Sequence, residues 1–108
     1  MKKQNKSQFR DEKHTYWSKI VRERDGFRCQ ICGATNTQIH AHHLNCWSDF
    51  LQDRYSIGNG ISLCFKCHSL YHSIYGKGMN DKHQFAQFKK LIEVLQKLSK
   101  DAALKLKK

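Results

Sequence analysis

Two CxxC pairs, Cys29-Gln30-Ile31-Cys32 and Cys64-Phe65-Lys66-Cys67, stand 31 residues apart. Two such knuckles supply four thiolates to one tetrahedral ion, and soft sulfur in that geometry favours zinc. Four protein ligands leave no position open for water or substrate, so an ion held by Cys29, Cys32, Cys64 and Cys67 is structural and contributes to folding. A redox pair needs only one CxxC and leaves the second unexplained. The fifth cysteine, Cys46, is expected to pack in a loop.

Histidines crowd the same stretch. Ile39-His40-Ala41-His42-His43-Leu44 lies between the knuckles, and His68-Ser69-Leu70-Tyr71-His72 follows the second. His68 and His72, at i and i+4, share one face of a helix, whereas alternation along a strand sends His42 and His43 to opposite sides. With four thiolates filling the zinc site, these histidines are free to build a second site, open to water and suited to a hydrolytic metal. His14, His40 and His83 read as surface or satisfied core residues.

Several short elements must position these groups. A first helix is expected from about Asp11 to Arg24, with Tyr16, Trp17, Ile20 and Val21 at helical spacing and Gly26 as its stop. Ile39 to Leu44 suits a strand, and a loop with Trp47 and Phe50 follows. Ile57-Gly58-Asn59-Gly60 reads as a turn entering a second strand through Leu63. A helix from about Lys66 to Tyr75 is stopped by Gly76 and Gly78. Asn80 is the expected N-cap of a last helix whose Phe85, Phe88, Leu91, Ile92, Leu95 and Leu98 form an apolar stripe, read as core, with dimerisation the lesser option. The organisation read from this is a basic disordered arm (1–10), a metal-stapled unit with its N-terminal helix (11–78), and a basic amphipathic C-terminal helix packed on the same domain (79–108).

A chain of 108 residues, 39% hydrophobic, supports one domain with a small core and excludes a large multi-domain enzyme. Lys and Arg number 20 against 9 Asp and Glu, a net +11 that predicts a polyanionic partner. The excess sits at the ends: net +5 in residues 1–24, +1 in 25–88 and +5 in 89–108, while the centre holds every cysteine. Such arms make phosphate contacts that give affinity without reading base sequence. No stretch approaches the ~20 apolar residues of a membrane span, and the basic N-terminus is followed by no apolar segment. A cytoplasmic protein with reduced cysteines is therefore expected.

The ordered set CQIC, AHHL and GNGISLCFKCH with a further His resembles the HNH endonuclease family, over about Trp17 to Tyr75. Arg22, Arg24, Asp25 and Gly26 resemble the lead-in of its phage-type members. The resemblance implies an α+β fold, a small zinc-stapled ββα-metal (His-Me finger) domain with flanking helices. It implies a DNA endonuclease, nicking or cutting both strands and leaving 5′-phosphate and 3′-hydroxyl ends, in a bacterial or phage-infected cell. By motif position His43 resembles the general base, and His42 and His68 resemble ligands of one catalytic divalent cation, with His72 a third ligand or a phosphate contact. Asn59 resembles the residue that orients the base or binds metal. Arg54 resembles a phosphate-contacting residue, and Arg22, Arg24 and Lys66 are further expected nucleic-acid contacts. Many members carry Asp where His42 stands, and a neutral ligand there disfavours Mg²⁺ relative to Mn²⁺, Co²⁺, Ni²⁺ or Zn²⁺. Double-stranded DNA is the expected partner, with a partner protein or a homodimer compatible and no membrane. The competing readings are a non-catalytic zinc module that only binds DNA and an RNA-directed nuclease or toxin.

Overall fold

The computed structural model describes residues 6–47 and 49–106. Helix α1 spans Lys6–Arg24, strands β1 and β2 span Ile39–His43 and Gly60–Cys64, helix α2 spans Phe65–Tyr75 and helix α3 spans Lys82–Leu106. Short 3-10 turns at Leu51–Asp53 and Ile57–Asn59 lie in the loop between the strands. The first five residues of the expected arm lie outside the described residues. Residues 6–10, Lys-Ser-Gln-Phe-Arg, extend α1 beyond its expected start at Asp11; no Gly or Pro among them interrupts it. Gly26 and Phe27 both take positive φ (66° and 52°) and end the helix, with Phe27 N–H donating to Arg22 O.

The two strands form one antiparallel hairpin whose register runs from Ile39 opposite Cys64 to His43 opposite Gly60. Direct partners share a face, so His43 and Gly60 look one way while His42 and Ile61 look the other. Helix α1 covers the first face: Trp17 and Val21 are buried where the chain passes Gly60. Helix α2 covers the second, and Leu63, Tyr71, Phe85 and Phe88 close the core between β2, α2 and the start of α3. Arg24 ties α1 to the hairpin by donating to Ile57 O at 2.9 Å and Gly60 O at 2.8 Å while paired with Asp25.

Helix α3 corrects two expectations. Its N-cap is Asp81, whose Oδ1 accepts from His83 N–H and Gln84 N–H, and Asn80 is instead buried with its Nδ2 donating to Gln84 Oε1. The apolar stripe is core only at its start: Phe85 and Phe88 are buried and Ile92 packs against them, but Leu91, Leu95 and Leu98 are exposed. The 25-residue helix is about 37 Å long at ~1.5 Å per residue. The described chain measures 68 × 28 × 25 Å, so the helix runs past the small body that could cover it. No helix among the described residues is long and apolar enough to cross a membrane.

Candidate metal centres and active site

The four cysteine sulfurs gather from the 29–32 turn and from the junction of β2 with α2. Sγ atoms of Cys29, Cys32, Cys64 and Cys67 all lie within 4.8 Å of one another, with Cys32 and Cys64 at 3.7 Å. Cys64 caps α2, its sulfur accepting from Cys67 N–H at 3.5 Å, and Cys29 Sγ accepts from Cys32 N–H at the same distance. These amides are donors aimed at thiolate. At Cys29 burial opposes ionisation, but the amides of Cys32, Cys64 and Ile31 outweigh it and bring the thiol down to about 7. Burial and the nearby Cys29 push Cys67 the other way, far above an ordinary thiol. Four thiolates cannot share so small a space without a cation, and a divalent ion removes that conflict. The cluster fits zinc.

The second cluster forms on the α2 face of the hairpin. Ligand nitrogens of His42, His68 and His72 lie within 4.8 Å of one another. His68 and His72 arrive from successive turns of α2, with their Nε2 atoms 3.1 Å apart. Two ligands about 2.0–2.1 Å from a tetrahedral ion stand roughly 3.3 Å apart, so this spacing is that of a coordination edge. His72 Nδ1 donates to Gly76 O at 2.9 Å, which leaves the Nε2 lone pair facing the cluster. His42 Nε2 is buried with no hydrogen-bond partner, an orphan that an ion between the three rings would satisfy. Burial, reinforced by His68 and His72, holds His42 down at about 3, and burial with His72, His40 and Lys77 holds His68 at about 4. Both rings are neutral near pH 7, the form that ligates.

His43 occupies the opposite face. Its ring stacks on Trp17 with centroids 3.8 Å apart and planes 9° from parallel, and Trp47 and His14 flank it at 5.6 Å. Its Nε2 lies 2.8 Å from Arg54 O. A carbonyl only accepts, so Nε2 carries the proton and the neutral ring keeps its lone pair on Nδ1. Burial lowers the His43 pKa, with the charges of His14 and Arg54 adding to it and the Arg54 carbonyl opposing.

The hydrogen bonds of the Asn59 side chain go to the loop and not to His43. Its Oδ1 accepts from Asn45 N–H at 2.9 Å, and its Nδ2 donates to Asn45 O at 3.0 Å and Asp53 O at 3.1 Å. It thereby clamps both ends of the loop whose Arg54 carbonyl holds His43.

One cavity of about 420 Å³ joins the two faces and is lined by His42, His43, His68 and His72 together with His14, His40, Arg22 and Lys77. Of the expected phosphate-contacting cations, only Arg22 lines it. Arg54 donates Nε–H to Trp47 O and lies over the Trp47 ring at 4.4 Å, Arg24 straps α1 to β2, and Lys66 is exposed outside the cavity. Sequence reasoning missed Trp17, Trp47 and Lys77. It also read His14 and His40 as bland, yet both line the cavity, and His40 Nε2 is buried and unpaired beside His68, whose ring is 5.4 Å away.

Comparison with known proteins agrees with this geometry. The HNH endonuclease family pattern matches residues 29–73, from the first knuckle through the histidine-bearing helix. Anaredoxin from Nostoc sp. (strain PCC 7120 / SAG 25.82 / UTEX 2576) is 30% identical over 79 residues, which cover 73% of this chain and 99% of that protein. No solved structure matches. With a thiolate cluster and a histidine cluster both falling within that match, residues 29–73 form a domain of the HNH endonuclease family.

Proposed function

We propose that the protein is a metal-dependent endonuclease that hydrolyses DNA phosphodiesters, with His43 as general base and His42, His68 and His72 as the ligands of one divalent cation. The carrying observation is that two consecutive residues, His42 and His43, put an orphaned ligand nitrogen and a carbonyl-anchored imidazole into one cavity. A divalent cation held by the three histidines would offset negative charge developing on the phosphate and the leaving oxygen. His43 takes the proton of the attacking water on Nδ1, while Nε2–H stays on Arg54 O and Trp17 holds the ring plane. Lowered by burial, the ring is unprotonated at neutral pH and ready to accept. Asn59 acts at one remove, as a positioning residue for the loop bearing that carbonyl. Arg22 and Lys77 supply positive charge to the phosphates at the cavity wall. In-line attack of water gives 5′-phosphate and 3′-hydroxyl ends. The four cysteines hold a structural zinc.

Supercoiled plasmid incubated with the zinc-loaded protein and Mg²⁺, Mn²⁺, Ni²⁺ or added Zn²⁺ tests this reading. Metal-dependent relaxation or linearisation is expected, falling about 10²–10⁴-fold in His43→Ala, the usual worth of a general base. A folded protein that shifts DNA yet cuts with none of these ions would leave a binding module in its place.

A further inference from the structure

A second cavity lies beside Trp17. It has a volume of about 580 Å³ and is lined by Glu12, Lys13, Tyr16, Trp17, Tyr55 and Ile57. Trp17 lines it, and the Trp17 indole stacks on His43, so the cavity adjoins the residue that holds the proposed base. Two of its aromatic residues face solvent: Tyr16 is 67% exposed and Tyr55 37%. The Lys13 ammonium sits 5.6 Å from the centre of the Tyr55 ring, on a helix that also bears Lys19 and Arg22.

The chemistry of this slot selects its occupant. A phosphate gains little here, because Glu12 offsets the charge of Lys13 and the rest of the wall is aromatic or aliphatic. A planar, uncharged ring suits it: tyrosine faces offer stacking, and the Glu12 carboxylate accepts from the amino or imino N–H groups that bases display. Aromatic faces beside a basic track are the combination that grips single strands. A base within a duplex has both faces stacked on its neighbours and cannot enter.

We infer that this cavity holds one unpaired nucleobase of the strand being cut, so that the protein favours single-stranded or locally unpaired nucleic acid over uninterrupted duplex. The inference rests on the reading of this chain as an enzyme of nucleic acid and narrows its substrate.

The test reads binding without catalysis. DNA and RNA oligonucleotides carrying one 2-aminopurine are titrated with the zinc-loaded protein in the absence of any further divalent ion. Unpaired aminopurine is expected to lose fluorescence severalfold on stacking, whereas the same base paired in a duplex does not respond. Tyr16→Ala, at an exposed position, is expected to weaken single-strand binding about tenfold and leave duplex binding unchanged, while Tyr16→Phe keeps both. Equal responses in single strand and duplex, or wild-type single-strand affinity in Tyr16→Ala, would overturn the inference. A protein that fails in this way yet binds and cuts duplex refutes the inference alone; one that binds no nucleic acid refutes the proposed function with it.

Discussion

Gly60 is where α1 comes closest to the hairpin, and replacing it by alanine tests whether that approach holds His43 in place. A Cβ built there meets Val21 Cγ2 at 2.5 Å, Trp17 Cζ2 at 2.7 Å and Val21 Cγ1 at 3.2 Å. Carbon atoms rest at about 3.5–4.0 Å, so α1 must retreat by roughly 1 Å or both side chains must leave their rotamers. Neither has slack, because Val21 is 0% and Trp17 1% exposed. Overpacking of this kind costs about 2–3 kcal/mol, or roughly 10–20 °C in the melting temperature of a domain this size. Gly60 also faces His43 across the ladder, so the retreat should disturb the Trp17 stack and lower cleavage. Urea unfolding followed by circular dichroism, at saturating zinc, gives the cost. Two of the three close contacts belong to Val21, so Gly60→Ala should cost at least about 1 kcal/mol less in a Val21→Ala background than in the wild type. Wild-type stability in Gly60→Ala, or strict additivity of the two substitutions, would refute the reasoning.

Three further expectations follow from the clusters and the loop clamp. Chelation of zinc, or Cys32→Ser, should abolish cooperative unfolding, since Cys29, Cys64 and Cys67 lie within the core; a chelated chain that keeps its melting transition would argue against a structural ion. Asn59→Ala removes three hydrogen bonds from a buried side chain and should cost roughly 2–4 kcal/mol in urea unfolding, with zinc content unchanged. His42 stays neutral in the folded chain down to about 3 but titrates near 6.5 when unfolded, so protons favour the unfolded state as pH falls below 6.5. Stability without a metal at the histidines should drop by about 1 kcal/mol between pH 7 and 5.5 on this account, and His42→Gln should flatten that slope.

The thiolate and histidine clusters were legible because their spacing is a constraint of local geometry. Residues i and i+4 on a helix converge wherever the helix goes, and neighbours on a strand diverge. The positive φ of Gly26 and Gly76 at the ends of α1 and α2 was likewise foreshadowed by residue type. What surrounds His43 was not legible. Trp17 and His14 reach it from 26 and 29 positions away, and periodicity tells that α1 has an apolar face without telling which strand lies beneath it. The arginines show the same limit: Arg24 and Arg54 read as phosphate contacts until the carbonyls they bind, of Gly60 and Trp47, are in view. On α3 an apolar stripe announced burial, but only Phe85, Phe88 and Ile92 have a body to pack on.

The adjacency of His42 and His43 gives the hairpin an unusual intolerance of slippage. If β1 moved one position relative to β2 in one direction, His43 would enter the α2 face and Leu44 would lie on Trp17; in the other, His42 would stack on Trp17 and Ala41 would face His68 and His72. Each misaligned form keeps one plausible imidazole and loses the other. The register is pinned at both ends, by the Cys64 knuckle opposite Ile39 and by the Asn59 clamp beyond His43. Insertion or deletion of a single residue in β1 should therefore produce a chain that still folds around zinc but has only half of its chemistry, whereas the long loop between the strands can vary wherever Asn45, Asp53 and Arg54 keep their contacts.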